Sequence, residues 1–153
     1  MKRLSILVAL ATMFSLTLFS QEKPKNQTAY QFTTVKELPV TSIKNQSKSG
    51  TCWSFSTLAF LESELLRSGK GEFDLSEMFI VSNSYYDKAD RYIRSYGKIS
   101  FSGGSSFTDA ITIIKQYGIV PDSVMNGLNY GEKIHAHGEL DAVTLAYVNA
   151  IEK

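Results

Sequence analysis

The chain has 153 residues, with 16 Lys+Arg against 15 Asp+Glu, 43% hydrophobic and 12% aromatic. That length suits one domain, the hydrophobic fraction excludes a disordered chain, and a net charge of +1 excludes the basic excess of a nucleic-acid binder. One cysteine, Cys52, excludes an internal disulfide, and with two histidines it leaves too few soft ligands for a zinc site, so no metal and no cofactor is expected.

The chain opens on Lys2 and Arg3, followed by an apolar run from Leu4 to Phe19 and the polar stretch Gln21-Glu22-Lys23-Pro24-Lys25. This is the layout of a secretory signal peptide, with an apolar run shorter than the ~20 residues of a spanning helix. Residues 1–20 are therefore expected to be cleaved, giving an exported, periplasmic or extracellular protein with no membrane attachment afterwards. Removing Lys2 and Arg3 takes the net charge from +1 to −1. Residues 21–39, with Pro24 and Pro39, read as an extended arm, and 40–153 as the folded lobe.

Ser42 to Thr51 is a polar loop. From Cys52 the pattern turns helical, with Phe55, Leu58, Ala59, Leu61, Leu65 and Leu66 at three- and four-residue spacing up to the Gly69–Gly71 breaker. Ser76 is expected to cap a second helix running to about Ser95, and Gly97 to end it. A flexible Ser102-Gly103-Gly104-Ser105 loop precedes a third helix, capped by Ser106 and closed by Gly118 and Pro121. Residues 122–137 read as loop, with His135 and His137 as surface histidines rather than a general base or a metal pair. A last helix carries Leu140, Val143, Tyr147, Val148 and Ile151.

Cys52 thus falls at a helix N-terminus, where free N–H groups and the positive dipole end stabilise a thiolate, the attacking species in nucleophilic catalysis. Gln46 can fold back and offer its amide, which with the Cys52 N–H would form an oxyanion hole. Gly50 leaves room for a substrate side chain. The spacing alone leaves open a buried structural cysteine, since free Cys is among the most buried residue types.

The segment Val40-Thr41-Ser42-Ile43-Lys44-Asn45-Gln46-Ser47-Lys48-Ser49-Gly50-Thr51-Cys52-Trp53-Ser54-Phe55-Ser56 resembles the active-site segment of papain-like cysteine peptidases. Leu75-Ser76-Glu77 resembles the Leu-Ser-Glu box that follows it, and Ser102-Gly103-Gly104 with the helix to Tyr117-Gly118-Ile119 resembles the substrate-binding glycine loop. Secreted members pair a Cys three residues before the nucleophile with one just before the two glycines; Ser49 and the Phe101-Ser102 pair stand there instead. Those absences, and the long segment containing Tyr85-Tyr86-Asp87-Lys88, resemble the bleomycin hydrolase and aminopeptidase C branch.

The resemblance implies an α+β papain-like fold, of which this sequence is mainly the helical left lobe. It implies peptide substrates, an aminopeptidase habit, Cys52 as nucleophile and Gln46 as oxyanion donor. Gly50, Trp53, Gly103 and Gly104 would form the substrate-binding surface, with Trp53 facing outward. The partner His and Asn come from a strand-rich second lobe, the His ~130–150 residues after the nucleophile, which points past Lys153. The expectation is therefore a lobe truncated before those residues, inactive by itself, with an uncovered apolar face that supports a homo-oligomer. The competing reading is a non-catalytic lobe that binds peptides or a partner chain.

Overall fold

The computed structural model describes residues 30–152, so the expected signal segment 1–20 and the first part of the arm lie outside it. The chain divides into two compact units between Lys36 and Glu37. In the first, residues 30–36 are irregular and exposed. The second carries α1 (Cys52–Arg67), α2 (Glu77–Arg94), α3 (Phe107–Tyr117) and α4 (Gly138–Glu152). None of the described helices is long and apolar enough to cross a membrane.

Two of the helices begin on a side-chain cap. The Ser76 hydroxyl accepts the Phe79 N–H at α2, and Ser106 and Asp109 form a reciprocal capping box at α3. The helix ends match the glycine signals: Gly69, Gly97 and Gly118 all lie at positive φ. Strand pairing among the described residues is limited to two isolated bridges, Lys48 with Ala136 and Leu75 with Pro121.

Helices α1, α2 and α3 pack on one another around Trp53, Leu58, Met78, Ile80, Val81, Ala110 and Ile113. The stripe that α1 buries differs from the one its leucines predict: Trp53, Ser54, Thr57, Leu58 and Glu62 are buried, whereas Ala59 is exposed. Small hydroxyls on that stripe let α2 approach closely, because each finds a backbone acceptor. Ser54 Oγ donates to the Glu77 carbonyl at 3.0 Å and Thr57 Oγ1 to the Trp53 carbonyl at 2.7 Å.

Helix α4 packs on α2 through a smaller cluster of Tyr92, Phe101 and Val148. Tyr92 donates to Asn149 Oδ1 at 2.6 Å, and Phe101 meets Tyr85 and Tyr92 edge to face at 5.8 and 6.0 Å. Val148 is the buried apolar residue of α4, while Leu140, Val143, Leu145, Tyr147 and Ile151 are exposed. Tyr86 of α2 and Tyr96 just beyond its end are exposed too.

Candidate active site

Cys52 is the first residue of α1 and is exposed, which removes the buried structural cysteine from contention. Thr51 holds the N-cap position; its carbonyl accepts from Ser54 and Phe55, and its hydroxyl bonds Ser49 Oγ at 2.5 Å rather than the helix end. The first N–H groups of a helix have no intrahelical partner, and the Cys52 N–H makes no backbone bond among the described residues. Gly50 lies at φ +63°, and a Cβ built there would meet nothing within 4 Å. Backbone conformation, rather than crowding, calls for glycine at this turn.

The loop before Cys52 is fastened at both ends by buried polar groups. At its start Lys44 Nζ meets Glu62 at 3.0 Å, Glu77 at 3.0 Å and Asp74 at 2.6 Å, and donates to the Leu75 carbonyl at 3.2 Å. Glu62, 1% exposed, also accepts the Thr41 hydroxyl and the Leu75 N–H. Burial works against the Lys44 cation, but the Asp74, Glu77 and Glu62 carboxylates outweigh it and hold its pKa above the usual lysine range. Glu77 moves the other way for a carboxylate: burial raises its pKa, and the hydrogen bond from Lys44 only partly offsets that. Nearer the thiol, Ser49 is buried and donates to the Gln46 carbonyl at 2.7 Å. That bond uses the Gln46 backbone and leaves its side-chain amide outside the clasp; the Gln46 side chain is half-buried.

Trp53 corrects an expectation. At 6% exposure it belongs to the core, not to an outward face. Its Nε1–H donates to the Gly103 carbonyl at 3.0 Å, which ties the glycine loop to the residue beside the thiol. An indole with a partner for its N–H can be buried at no hydrogen-bonding cost, and the sequence carries no signal for that partner fifty residues away. Gly103 is buried and Gly104 exposed. A Cβ on Gly103 would come 2.9 Å from the Tyr85 hydroxyl and 3.5 Å from the Ser49 carbonyl, so the backbone there is in close approach. The Tyr85 hydroxyl bonds Asp141 of α4, and burial, then that bond, raise the Tyr85 pKa. Lys88 Nζ donates to the Ser102 carbonyl at 3.0 Å and the Gly104 carbonyl at 2.5 Å.

The histidines also differ from the surface reading. Lys48 N–H donates to the His135 carbonyl at 2.9 Å, and His137 N–H to the Lys48 carbonyl at 3.0 Å. This pairing straps residues 135–137 against the loop before Cys52. His137 is buried, and His135 is half-buried with its ring edge-on to Phe55 at 5.8 Å. Both Nδ1 atoms are buried without a partner, and desolvation lowers both pKa values, so the rings are neutral near pH 7. Neither imidazole hydrogen-bonds the Cys52 thiol among the described residues.

Sequence reasoning missed Lys44, Glu62, Lys88, Tyr85 and Asp141. Lys44 and Lys88 lay inside motifs noted for other residues, and nothing local marks a lysine whose partners are 14 to 31 residues away.

A thiol at a helix N-terminus thus lies beside a loop carrying Gln46, and the residue after it is tied to a glycine loop fifty residues on. The papain family cysteine protease profile matches residues 28–140, so the chain belongs to the papain family of cysteine proteases, and its four helices are the helical lobe of that fold. It is similar to Aminopeptidase G of Lactobacillus delbrueckii subsp. lactis, at 34% identity over 106 residues, 58% of this chain and 24% of that protein. It is similar also to a cysteine proteinase of Trypanosoma brucei brucei, at 31% over 111 residues, 66% of this chain and 24% of that protein. Aminopeptidase E of Lactobacillus helveticus is 29% identical over 109 residues, 58% of this chain and 24% of its own. The chain thus spans 24% of the length of each of these relatives. The two aminopeptidases accord with the branch that the motifs resemble.

Proposed function

We propose that the chain supplies the nucleophile and substrate strand of an exported cysteine peptidase that removes N-terminal residues from peptides. The observation that carries this is the exposed Cys52 at the first position of α1, joined through Trp53 to the Gly103 carbonyl. In the reaction the Cys52 thiol gives its proton to a base, and the sulfur attacks the scissile carbonyl carbon. The resulting oxyanion lies between the Cys52 N–H and the Gln46 side-chain amide. The C–N bond breaks as the base protonates the leaving amine, leaving a thioester on Cys52. Water then adds to the thioester, the C–S bond breaks, and the thiol regains its proton. By the family resemblance the base is a histidine oriented by an asparagine.

Aminoacyl and peptidyl fluorogenic amides, assayed with the wild type and with Cys52→Ser, each supplied in trans with a second lobe carrying the family's His and Asn, test this reading. Turnover that vanishes in Cys52→Ser, and that falls on substrates whose amino group is acetylated, supports an aminopeptidase. Peptide binding that Cys52→Ser retains, with no turnover by either protein, supports the non-catalytic lobe instead. Export is tested separately: N-terminal sequencing of the mature protein should begin near Gln21.

A further inference from the structure

The glycine strand has no ladder partner, yet three successive carbonyls of it are occupied. Trp53 Nε1 takes that of Gly103 at 3.0 Å, and Lys88 Nζ takes those of Ser102 at 3.0 Å and Gly104 at 2.5 Å. One ammonium with three donors bridges the Ser102 and Gly104 carbonyls. Among the described residues no backbone bond uses the Gly103 or Gly104 N–H.

We propose that Lys88 is the positioning residue of the Gly103–Gly104 loop: by binding the Ser102 and Gly104 carbonyls it fixes the backbone along which substrate docks, setting peptide affinity rather than thiol reactivity. The inference rests on the peptidase reading above. A lysine is suited to the task because the ammonium also lies over the rings of Trp53 and Tyr85, at 5.7 and 5.9 Å, which hold it from behind while the carbonyls hold it in front. The side chain runs from α2, whose core packing fixes its root, to a segment with no regular structure of its own.

The charged and titratable groups facing Lys88 are Tyr85 and Arg91 on α2, Asp109 on α3 and Asp141 on α4. Burial, with Arg91, lowers the Lys88 pKa below the lysine range against the opposing pull of Asp109 and Asp141. Deprotonation then leaves at most a neutral amine against two carbonyls, and the grip loosens at a pH below that of an ordinary lysine.

The test compares two alkylating agents on the full chain. Iodoacetamide reads thiol reactivity alone, whereas a peptidyl chloromethyl ketone must first bind along the glycine strand. Lys88→Met should lower the rate with the peptidyl reagent about tenfold, the scale of one charge-assisted hydrogen bond, and change iodoacetamide labelling less than about twofold. Lys88→Arg, which keeps the cation, should restore most of the lost rate. The ratio of the two rates in the wild type should fall as pH rises through the lowered lysine range, and the Lys88→Arg ratio should stay flat. An unchanged ratio in Lys88→Met overturns the proposal and leaves the peptidase reading standing. Equal loss of both rates also overturns it, since that marks a merely structural lysine. A wild type that shows no preference for the peptidyl reagent overturns both readings together.

Discussion

Lys44 and Lys88 do similar mechanical work, one fastening the loop before the thiol and the other the glycine loop, yet their surroundings leave them with opposite titration. Lys44 faces Glu62, Glu77 and Asp74, whose charges more than repay its lost hydration, and its pKa rises. Lys88 faces carbonyl dipoles and two aromatic rings, with Asp109 and Asp141 acting only through space, and its pKa falls. A dipole cannot balance desolvation as a full charge does. The first clamp is built for permanence and the second can let go.

The sharpest way to break that contrast is to remove Lys44. Lys44→Met leaves Glu62 and Glu77, 1% and 4% exposed, facing each other with no cation between them. Removing one partner of a buried ion group typically costs 3–5 kcal/mol; because Lys44 is partly exposed, about 3 kcal/mol is expected by chemical denaturation. Glu77 sharpens the result: with its pKa raised further in the variant, acidification into the carboxylate range should recover part of the loss.

The strap over the loop titrates in the opposite sense. His135 and His137 have lowered pKa values in the folded chain, so the unfolded chain binds protons first as pH falls. Stability is then full above the ordinary histidine pKa of about 6.5 and declines as pH drops from there through the lowered values. Thermal unfolding followed between about pH 7.5 and 5 should show this slope. Replacing His137 with Phe, which fills the site without a titrating nitrogen, should flatten it.

How much of this was legible follows a simple division. Helix limits were readable, because caps and breakers act on their immediate neighbours: Ser76, Ser106, Gly97 and Gly118 fall where the pattern placed them. The thiol was readable for the same reason, lying at a loop-to-helix change. The buried stripe of α1 was not, since Ser54, Thr57 and Glu62 are polar residues satisfied by partners that only the fold supplies. Trp53 and the histidine strap failed likewise: an indole bonded to Gly103 and a backbone pairing of Lys48 with residues 135–137 leave no local trace.

Two smaller effects follow on either side of the cleft. Ser106→Ala removes the α3 cap and should cost about 1 kcal/mol, with less acid sensitivity than the wild type, because beside the Ser105 bond that most lowers the Asp109 pKa the bond from the Ser106 hydroxyl is lost. Trp53→Phe keeps the buried ring but leaves the Gly103 carbonyl without its donor, a loss of about 1 kcal/mol on the scale of one hydrogen bond. Its diagnostic is selectivity between the two alkylating agents, which should fall as it does in Lys88→Met.

The smallest stability effect is expected where the functional effect is largest. Lys88 is half-buried, and its acceptors are carbonyls at the surface of an irregular segment, which water can rehydrate once the ammonium is gone. Lys88→Met should therefore cost less than about 1 kcal/mol, in the range of exposed ionic contacts and well below Lys44→Met. The physical reason is what each substitution leaves behind: two buried carboxylates in one case, two solvent-accessible carbonyls in the other. Denaturation curves of the two variants run side by side would test this directly. If Lys88→Met destabilised the chain as much as Lys44→Met, the glycine strand would be a structural part of the core, and the division into a permanent and a releasable clamp would fail.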